Sequence, residues 1–546
     1  MVSDSKAALA NWQNLLKIFT VPEGPESTLT KIDAEISRNL DNFLQQHVVA
    51  EEKPLSEIER DFSYAQVPEA PEFVSTHTEH LLSKVVAHSV HTSSPHFIGH
   101  MTSALPYFLM PLSKIMIALN QNLVKIETSK AFTPLERHVL GMLHHLVYQQ
   151  SNAFYDQWMH SSAHSLGAFC SGGTIANITA LWVARNNALR ADGNFAGVEK
   201  AGLISGLLHY GYKGMAVVVS ERGHYSLKKA ADLLGLGQDG LITVAVDENN
   251  RIITSELEQT LDTLKQQSIL PIAVVGIAGT TETGSIDPLD EMAQICRKHQ
   301  VHFHVDAAWG GATLMSNTHR KKLTGIEEAD SVTIDAHKQL YIPMGAGMVL
   351  FKSPDATHSI EHHAQYILRQ GSKDLGCRTI EGSRSGMAML VYSALHIIGR
   401  QGYEILIDHS LEKTRYFANL IEEQDDFQLI SQPELCLLTY RFAPKDCQQA
   451  LERANPEQFK RLNTLLNDLT VFVQKRQRES GHSFVSRTQL TPSSLKQMQT
   501  NVFRVVLANP LTTQEILQQV LAEQRKIAAQ AKSILENIKQ IVANID

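Results

Sequence analysis

Four short stretches of the chain carry side chains capable of chemistry, and each lies where a β-rich run meets a turn. Lys338 stands in "DAHKQLYIPMGAG", directly behind His337, at the end of a β-branched run and before a glycine-rich turn. Asp306 stands in "HVDAAWGGA", a run so apolar that its carboxylate must be largely hidden from water and must have a cationic or hydrogen-bonded mate. "GAFCSGGTIANITALWVAR" leads from a short strand through Gly172, Gly173 and Thr174 into a helix-period segment. Exposed amides at a positive helix N-terminus suit a phosphate group. The lysine of a P-loop is missing, which argues against a nucleoside triphosphate. His224, in "SERGHYSLKKAA", opens a helix just after the strand "MAVVVS". Each has a plainer reading alone: a surface lysine, a loop-holding aspartate, an ordinary glycine helix start, a satisfied histidine at a helix start.

These residues need elements that bring them to one place. Short β-rich runs recur from about Gly167 to Ser353: "MAVVVS" (215–220), "LITVAVD" (241–247), "PIAVVGIAG" (271–279), "VHFHVDAAW" (301–309), "SVTIDAH" (331–337) and "GMVLFKS" (347–353). Helix-like segments separate most of them, which predicts βαβ units and a largely parallel sheet covered on both faces. The last run leaves no room for a crossover helix, so it is expected to pair with its predecessor as a hairpin. Open parallel sheets hold ligands beyond the carboxyl ends of their strands. Asp306, Lys338 and His224 all follow such ends. "GLGQDG" (235–240) fits the dinucleotide pattern G-x-G-x-x-G, but it follows a helix and precedes a strand, the reverse of the required order. It reads as a helix C-cap and turn.

The flanks differ from this middle. Residues 1–115 read as an N-terminal helical segment, 116–400 as the large α/β domain and 401–546 as a small α+β domain. Thr512, with Glu515 three residues on, predicts a capping box at the start of the final helix. Among 546 residues, a hydrophobic fraction of 43% and a charged fraction of 19% describe a folded globular chain. A net charge of -8 offers no basic footprint for nucleic acid. No apolar run reaches the ~20 residues of a membrane span, and no secretory signal is read at the N-terminus. Five cysteines without paired spacing fit reduced thiols in a cytoplasmic protein.

An amine, a buried carboxylate, a histidine and a phosphate cradle match the needs of pyridoxal phosphate: an aldehyde, a pyridine nitrogen, a flat ring and a phosphate. "SGGTIAN", "SERGHYS", "HVDAAWGG" and "DAHK", in that order, resemble the motifs of the group II pyridoxal-phosphate-dependent amino acid decarboxylases. The resemblance implies an aspartate-aminotransferase-like (fold type I) large domain and a carboxy-lyase. It also implies Lys338 as the Schiff-base lysine, His224 stacked on the ring, Asp306 on the pyridine nitrogen and Ala308 on the opposite face. Gly173 and Thr174 would hold phosphate, Thr281 would lie near the ring hydroxyl, and His337 would sit beside the lysine. Many eukaryotic members carry Asn-Pro where this chain has Asp335-Ala336, and a carboxylate beside a phosphate would repel it.

"IFTVPEGPESTLTKIDAEISRNL" and "VAEEKPLSEIERDFS" resemble a bacterial subgroup of the family that converts L-aspartate to β-alanine for pantothenate synthesis, which implies that substrate. Glutamate, cysteine sulfinate and aromatic amino acids are the alternatives within the family. Arg384 is a candidate to grip a substrate carboxylate through its planar fork. Tyr366, with Tyr341 behind it, is a candidate to protonate Cα. Family resemblance also implies a homodimer with sites at the interface. The rivals are an aminotransferase and a non-catalytic relative that binds cofactor or a partner protein. His358 and His362 have the spacing of zinc ligands on a helix, but no Glu stands correctly between them, and no metal is expected.

Overall fold

A computed structural model describes residues 12, 13, 16, 36–40, 43, 49–50, 53–67, 74–364 and 371–545. The chain divides into two compact units, Met1–Leu15 with Phe108–Asp408 and Leu16–Tyr107 with His409–Asp546.

The first unit is built on a seven-stranded sheet: β1 (Gly167–Cys170), β2 (Gly214–Ser220), β3 (Leu241–Val244), β4 (Ile269–Ile277), β5 (His302–Asp306), β6 (Ser331–Asp335) and β7 (Gly347–Phe351). Their order is β1-β7-β6-β5-β4-β2-β3. β7 is antiparallel to both neighbours, β6 and β1, and the other pairings are parallel. The expected mainly parallel α/β sheet and the β6–β7 hairpin are both present. Six strands therefore point one way, and their carboxyl ends form a single edge. β5, β6 and β7 are almost wholly buried, as strands covered on both faces must be.

The helix Gly173–Ala188 runs back across this sheet. Ile178, Leu181 and Ala184 pack with Val217, Val219, Val275 and Ile277. Ala176, Ala180 and Val183 pack with Ala168, Val349 and Phe351. Apolar contacts on more than one face explain why the helix shows no polar stripe, and they fix its N-terminus beside the ends of β1 and β6. "GLGQDG" is a turn: the helix Tyr225–Leu233 ends just before it, Gly235 and Gly237 take positive φ, and β3 follows.

The second unit contains a four-stranded antiparallel sheet of β8 (Phe427–Ser431), β9 (Leu437–Phe442), β10 (Ser486–Leu490) and β11 (Thr500–Val506), in the order β10-β11-β9-β8. The helix Pro456–Ser480 buries Phe459, Leu462, Leu466, Leu469 and Val473, a stripe at alternating three- and four-residue spacing. Asn455 and Gln458 form a capping box at its start. The capping box expected at Thr512 is not formed. Thr513 caps the helix Gln514–Ala528 by accepting from the Ile516 amide, while the Thr512 hydroxyl donates to the Pro95 carbonyl.

Candidate active site

Asp306 ends β5 and is 6% exposed. Its Oδ2 accepts from Asn177 Nδ2 at 2.8 Å and its Oδ1 from the Ala308 amide at 3.2 Å. Asn177 also donates to Ser226 Oγ at 3.1 Å, and its Oδ1 faces His304 Nε2 at 3.1 Å. These contacts orient one another. An ionised carboxylate only accepts, so both Asn177 hydrogens go to Asp306 and Ser226, and Asn177 Oδ1 must accept the proton of His304 Nε2. His304 Nδ1 then accepts from Ser331 Oγ at 2.9 Å, and Ser331 accepts from His302 Nε2 at 2.7 Å. Burial pushes His304 down to about 4, against a smaller upward pull from Asp306, so the ring is neutral as this arrangement requires.

His224 joins the same chain of bonds from the other side. It caps the helix Tyr225–Leu233, with Nδ1 accepting from the Ser226 amide at 3.3 Å and lying 2.8 Å from Ser226 Oγ. The hydrogen of this imidazole therefore rests on Nε2. Burial lowers the His224 pKa, Asp306 pulls it up, and Lys338 and then Asp335 add opposing smaller effects. Those interactions place His224, Asp306, Lys338 and Asp335 within one electrostatic neighbourhood.

Lys338 follows β6, with Nζ 3.2 Å from Asp335 Oδ2 and a side chain 20% exposed. His337 Nε2 lies 3.5 Å from the same oxygen. Burial holds His337 below its usual pKa, with Asp335 acting against that shift. Asp335 is packed against the glycines of the cradle: a Cβ on Gly173 would meet Oδ2 at 2.7 Å, and one on Gly347 would meet Oδ1 at 2.6 Å. Only hydrogen at these two positions allows the carboxylate to sit there. Gly172 caps the helix with no side-chain acceptor, which leaves the first-turn amides, including Gly173 and Thr174, without the usual cap. The neighbouring Ser171 amide donates to Glu381 Oε2 at 2.9 Å. Thr281 lies in the loop after β4, which a Thr280–Thr283–Ser285 hydroxyl chain of 2.7 and 2.8 Å holds in shape.

A family model described as "Pyridoxal-dependent decarboxylase conserved domain" matches residues 54–443. The chain belongs to that family. It is 64% identical to the Aspartate 1-decarboxylase of Aliivibrio fischeri over 545 residues, covering 100% of each chain. It is 29% identical to the Cysteine sulfinic acid decarboxylase of Mus musculus over 446 residues, 80% of this chain and 83% of that one. The crystal structure of mouse CSAD superimposes with a TM-score of 0.77 at 25% identity, over 92% of this chain and 99% of that one. A pyridoxal-dependent decarboxylase is a carboxy-lyase, and its cofactor is pyridoxal phosphate.

In this family member, Arg384 is engaged by another residue of the chain. Arg384 turns both Nη groups onto Glu136, a buried carboxylate of the chain itself. Its fork is already filled, so the structure gives it a structural partner where a substrate carboxylate was expected. Tyr366 lies outside the described residues. Tyr341 is 3% exposed and adopts a positive φ of 57°. Sequence reading missed Asn177, Ser226, His304, Ser331 and Glu136. The available signal was polarity in the wrong place, since Asn177 interrupts an otherwise apolar helical face and His302 and His304 alternate within a buried strand.

Proposed function

We propose that this decarboxylase acts on L-aspartate, releasing CO₂ from the α-carboxylate to form β-alanine, and so supplies a precursor for pantothenate. The observation that carries the substrate is the end-to-end 64% identity to an Aspartate 1-decarboxylase. Bound pyridoxal phosphate supplies an aldehyde that bonds an amine and a ring that accepts the electron pair left at Cα.

The residues present fit that group. Lys338 Nζ is the amine that holds the aldehyde. Asp306, oriented by Asn177 and the Ala308 amide, would accept from the pyridine nitrogen and favour a proton there. His224, with Nδ1 held by Ser226, would cover one ring face and Ala308 the other. The uncapped amides of Gly173 and Thr174 would hold phosphate, Thr281 would lie by the ring hydroxyl, and His337 flanks the lysine. The chain acts as a cytoplasmic homodimer. Five free, buried cysteines support the compartment. The pairing is supported by Met110, Ile115, Ile117 and Leu119, exposed on the helix Leu109–Leu119. No helix among the described residues is long and apolar enough to cross a membrane.

The deciding experiment measures kcat/KM for aspartate, glutamate, cysteine sulfinate and tyrosine with one holoenzyme preparation. Aspartate should lead. One methylene discriminates only ~10- to 200-fold, so slower turnover of glutamate agrees with this reading. A higher value for glutamate or tyrosine overturns the substrate and leaves the family assignment intact.

A further inference from the structure

A second cluster of chemistry-bearing side chains lies at the opposite edge of the seven-stranded sheet. His164 precedes β1, and Asp355 and His358 follow β7. Because those two strands are antiparallel, this places all three beyond the ends remote from Gly173 and Asp335. Asp355 is the N-cap of a short 3₁₀ helix, Ala356–Ile360. Residues three apart eclipse in that geometry, so Asp355 and His358 present their side chains on one side. The helical spacing of His358 and His362 is not realised, and His362 instead stacks on Trp182 at 5.8 Å.

His164 Nε2 lies 3.1 Å and His358 Nδ1 3.7 Å from the same oxygen, Asp355 Oδ1. One ligand atom from each of the three residues falls within 4.8 Å of the others. The outer nitrogens fix which atoms face inward. His358 Nε2 donates to the Ala163 carbonyl at 2.6 Å, an oxygen that also accepts from Arg378 Nη2 at 2.7 Å. A carbonyl cannot donate, so Nε2 carries a proton and Nδ1 is the nitrogen that faces Asp355. His164 Nδ1 is 2.8 Å from Ser161 Oγ, and Trp158 stands edge-on to its ring at 4.4 Å. In the tautomer whose Nδ1 donates to Ser161, Nε2 turns its lone pair toward Asp355. Two imidazole nitrogens and a carboxylate oxygen then face one point, an arrangement that a cation between them satisfies.

We propose that His164 Nε2, Asp355 and His358 Nδ1 form a site for a zinc-class divalent ion. Bonds of about 2.0–2.2 Å to nitrogen and carboxylate oxygen put tetrahedral ligands about 3.4 Å apart, between the two separations found here. Two imidazoles with one carboxylate suit zinc and its neighbours, whereas magnesium and calcium take oxygen ligands. Hydrogen bonds from the outer nitrogens of ligating histidines to a carbonyl and a hydroxyl are the usual support of such sites. Asp355 and His358 are 66% and 44% exposed, so a fourth position opens to water. The ion would clamp the turn before β1 to the turn after β7, segments already joined by Ser165 N–H to the Pro354 carbonyl at 3.2 Å. It is a structural site, remote from Lys338.

The test uses untagged, metal-stripped holoenzyme titrated with zinc against a chromophoric chelator, beside His164→Ala, His358→Ala and Asp355→Asn. The wild type should bind one zinc per chain more than each variant does, with a thermal midpoint that rises with zinc in the wild type alone. Magnesium should produce no rise. Cofactor content and decarboxylation should be equal in all four proteins, which also shows that the variants fold. Equal zinc stoichiometry and equal zinc-dependent midpoints in the wild type and the three variants would overturn the site.

Discussion

Asn177 Nδ2 lies 2.8 Å from Asp306 Oδ2, and this contact sets the direction of every hydrogen bond from His302 to His224. The amide donates to Asp306 and Ser226 and accepts from His304. It joins a carboxylate that must stay charged to a histidine that must stay neutral.

Replacing Asn177 tests that role, and one truncating and one isosteric variant separate packing from electrostatics. Asn177→Ala removes one donor from Asp306, and kcat should fall roughly 10- to 100-fold, the worth of one hydrogen bond to a charged group. Asn177→Asp fills the space better but sets a second carboxylate against Asp306, so the pair must share a proton. Its kcat should fall further than that of the alanine variant. Steady-state kinetics with saturating cofactor decide the order, and an aspartate variant more active than the alanine variant refutes the network.

Arg384 and Glu136 form a buried pair, with side chains 10% and 1% exposed. Removing one partner strands the other, and Arg384→Ala should lower stability by about 3–5 kcal/mol. The double replacement Glu136→Leu with Arg384→Met should recover most of that loss, because no charge is left unpaired. Urea denaturation measures both proteins. If Arg384→Ala instead raises KM with stability unchanged, the arginine binds substrate and the pair is incidental.

What could be read from the sequence follows from where each signal resides. Asp306 ends a strand, His224 and Gly173 open helices and Lys338 lies in the turn just past β6, and the period change around them is local. The parallel sheet and the β6–β7 hairpin were legible for the same reason. Asn177–Asp306 and Arg384–Glu136 join residues 129 and 248 positions apart, and nothing near either partner in sequence announces the other. The misplaced cap is subtler. Thr512 and Thr513 are adjacent and chemically alike, and the choice falls to Thr513 because a distant carbonyl, that of Pro95, takes the Thr512 hydroxyl.

Stability should fall on mild acidification before surface carboxylates titrate. His144 and His304 are fully buried and each is held down to about 4, burial being the main cause. The unfolded chain protonates them near 6.5. A base with a depressed folded pKa contributes stability above its unfolded pKa and loses it as pH drops toward the folded value, so the window is pH 6.5 to 4. Asp287 acts in the opposite sense. Burial raises it to about 6, so its protonation offsets part of the loss between pH 6 and 4. At about 1.4 kcal/mol per proton per pH unit, these three groups together cost on the order of 3 kcal/mol by pH 5. Urea midpoints between pH 7.5 and 5 check this, and a flat profile contradicts the neutral assignment of the two rings.

The last prediction concerns Asp335, the residue at which the sequence departs from the family pattern it resembles. Its carboxylate touches the backbone at Gly173 and Gly347 and holds Lys338 Nζ at 3.2 Å. A phosphate held by the first-turn amides of the helix Gly173–Ala188 would therefore lie in the field of a buried anion. The lysine and His337 are the cationic or polarisable groups that oppose it. Asp335→Asn keeps the shape and removes the charge. Cofactor affinity should then rise by roughly tenfold, about 1.4 kcal/mol, because the loss of repulsion on a phosphate dianion outweighs one lost contact to a lysine that the cofactor itself engages. Absorbance titration of apoprotein with pyridoxal phosphate, wild type beside Asp335→Asn, gives the two dissociation constants directly. Weaker binding in the variant would mean that Asp335 serves the cofactor through Lys338, by positioning its amine, more than it opposes the phosphate.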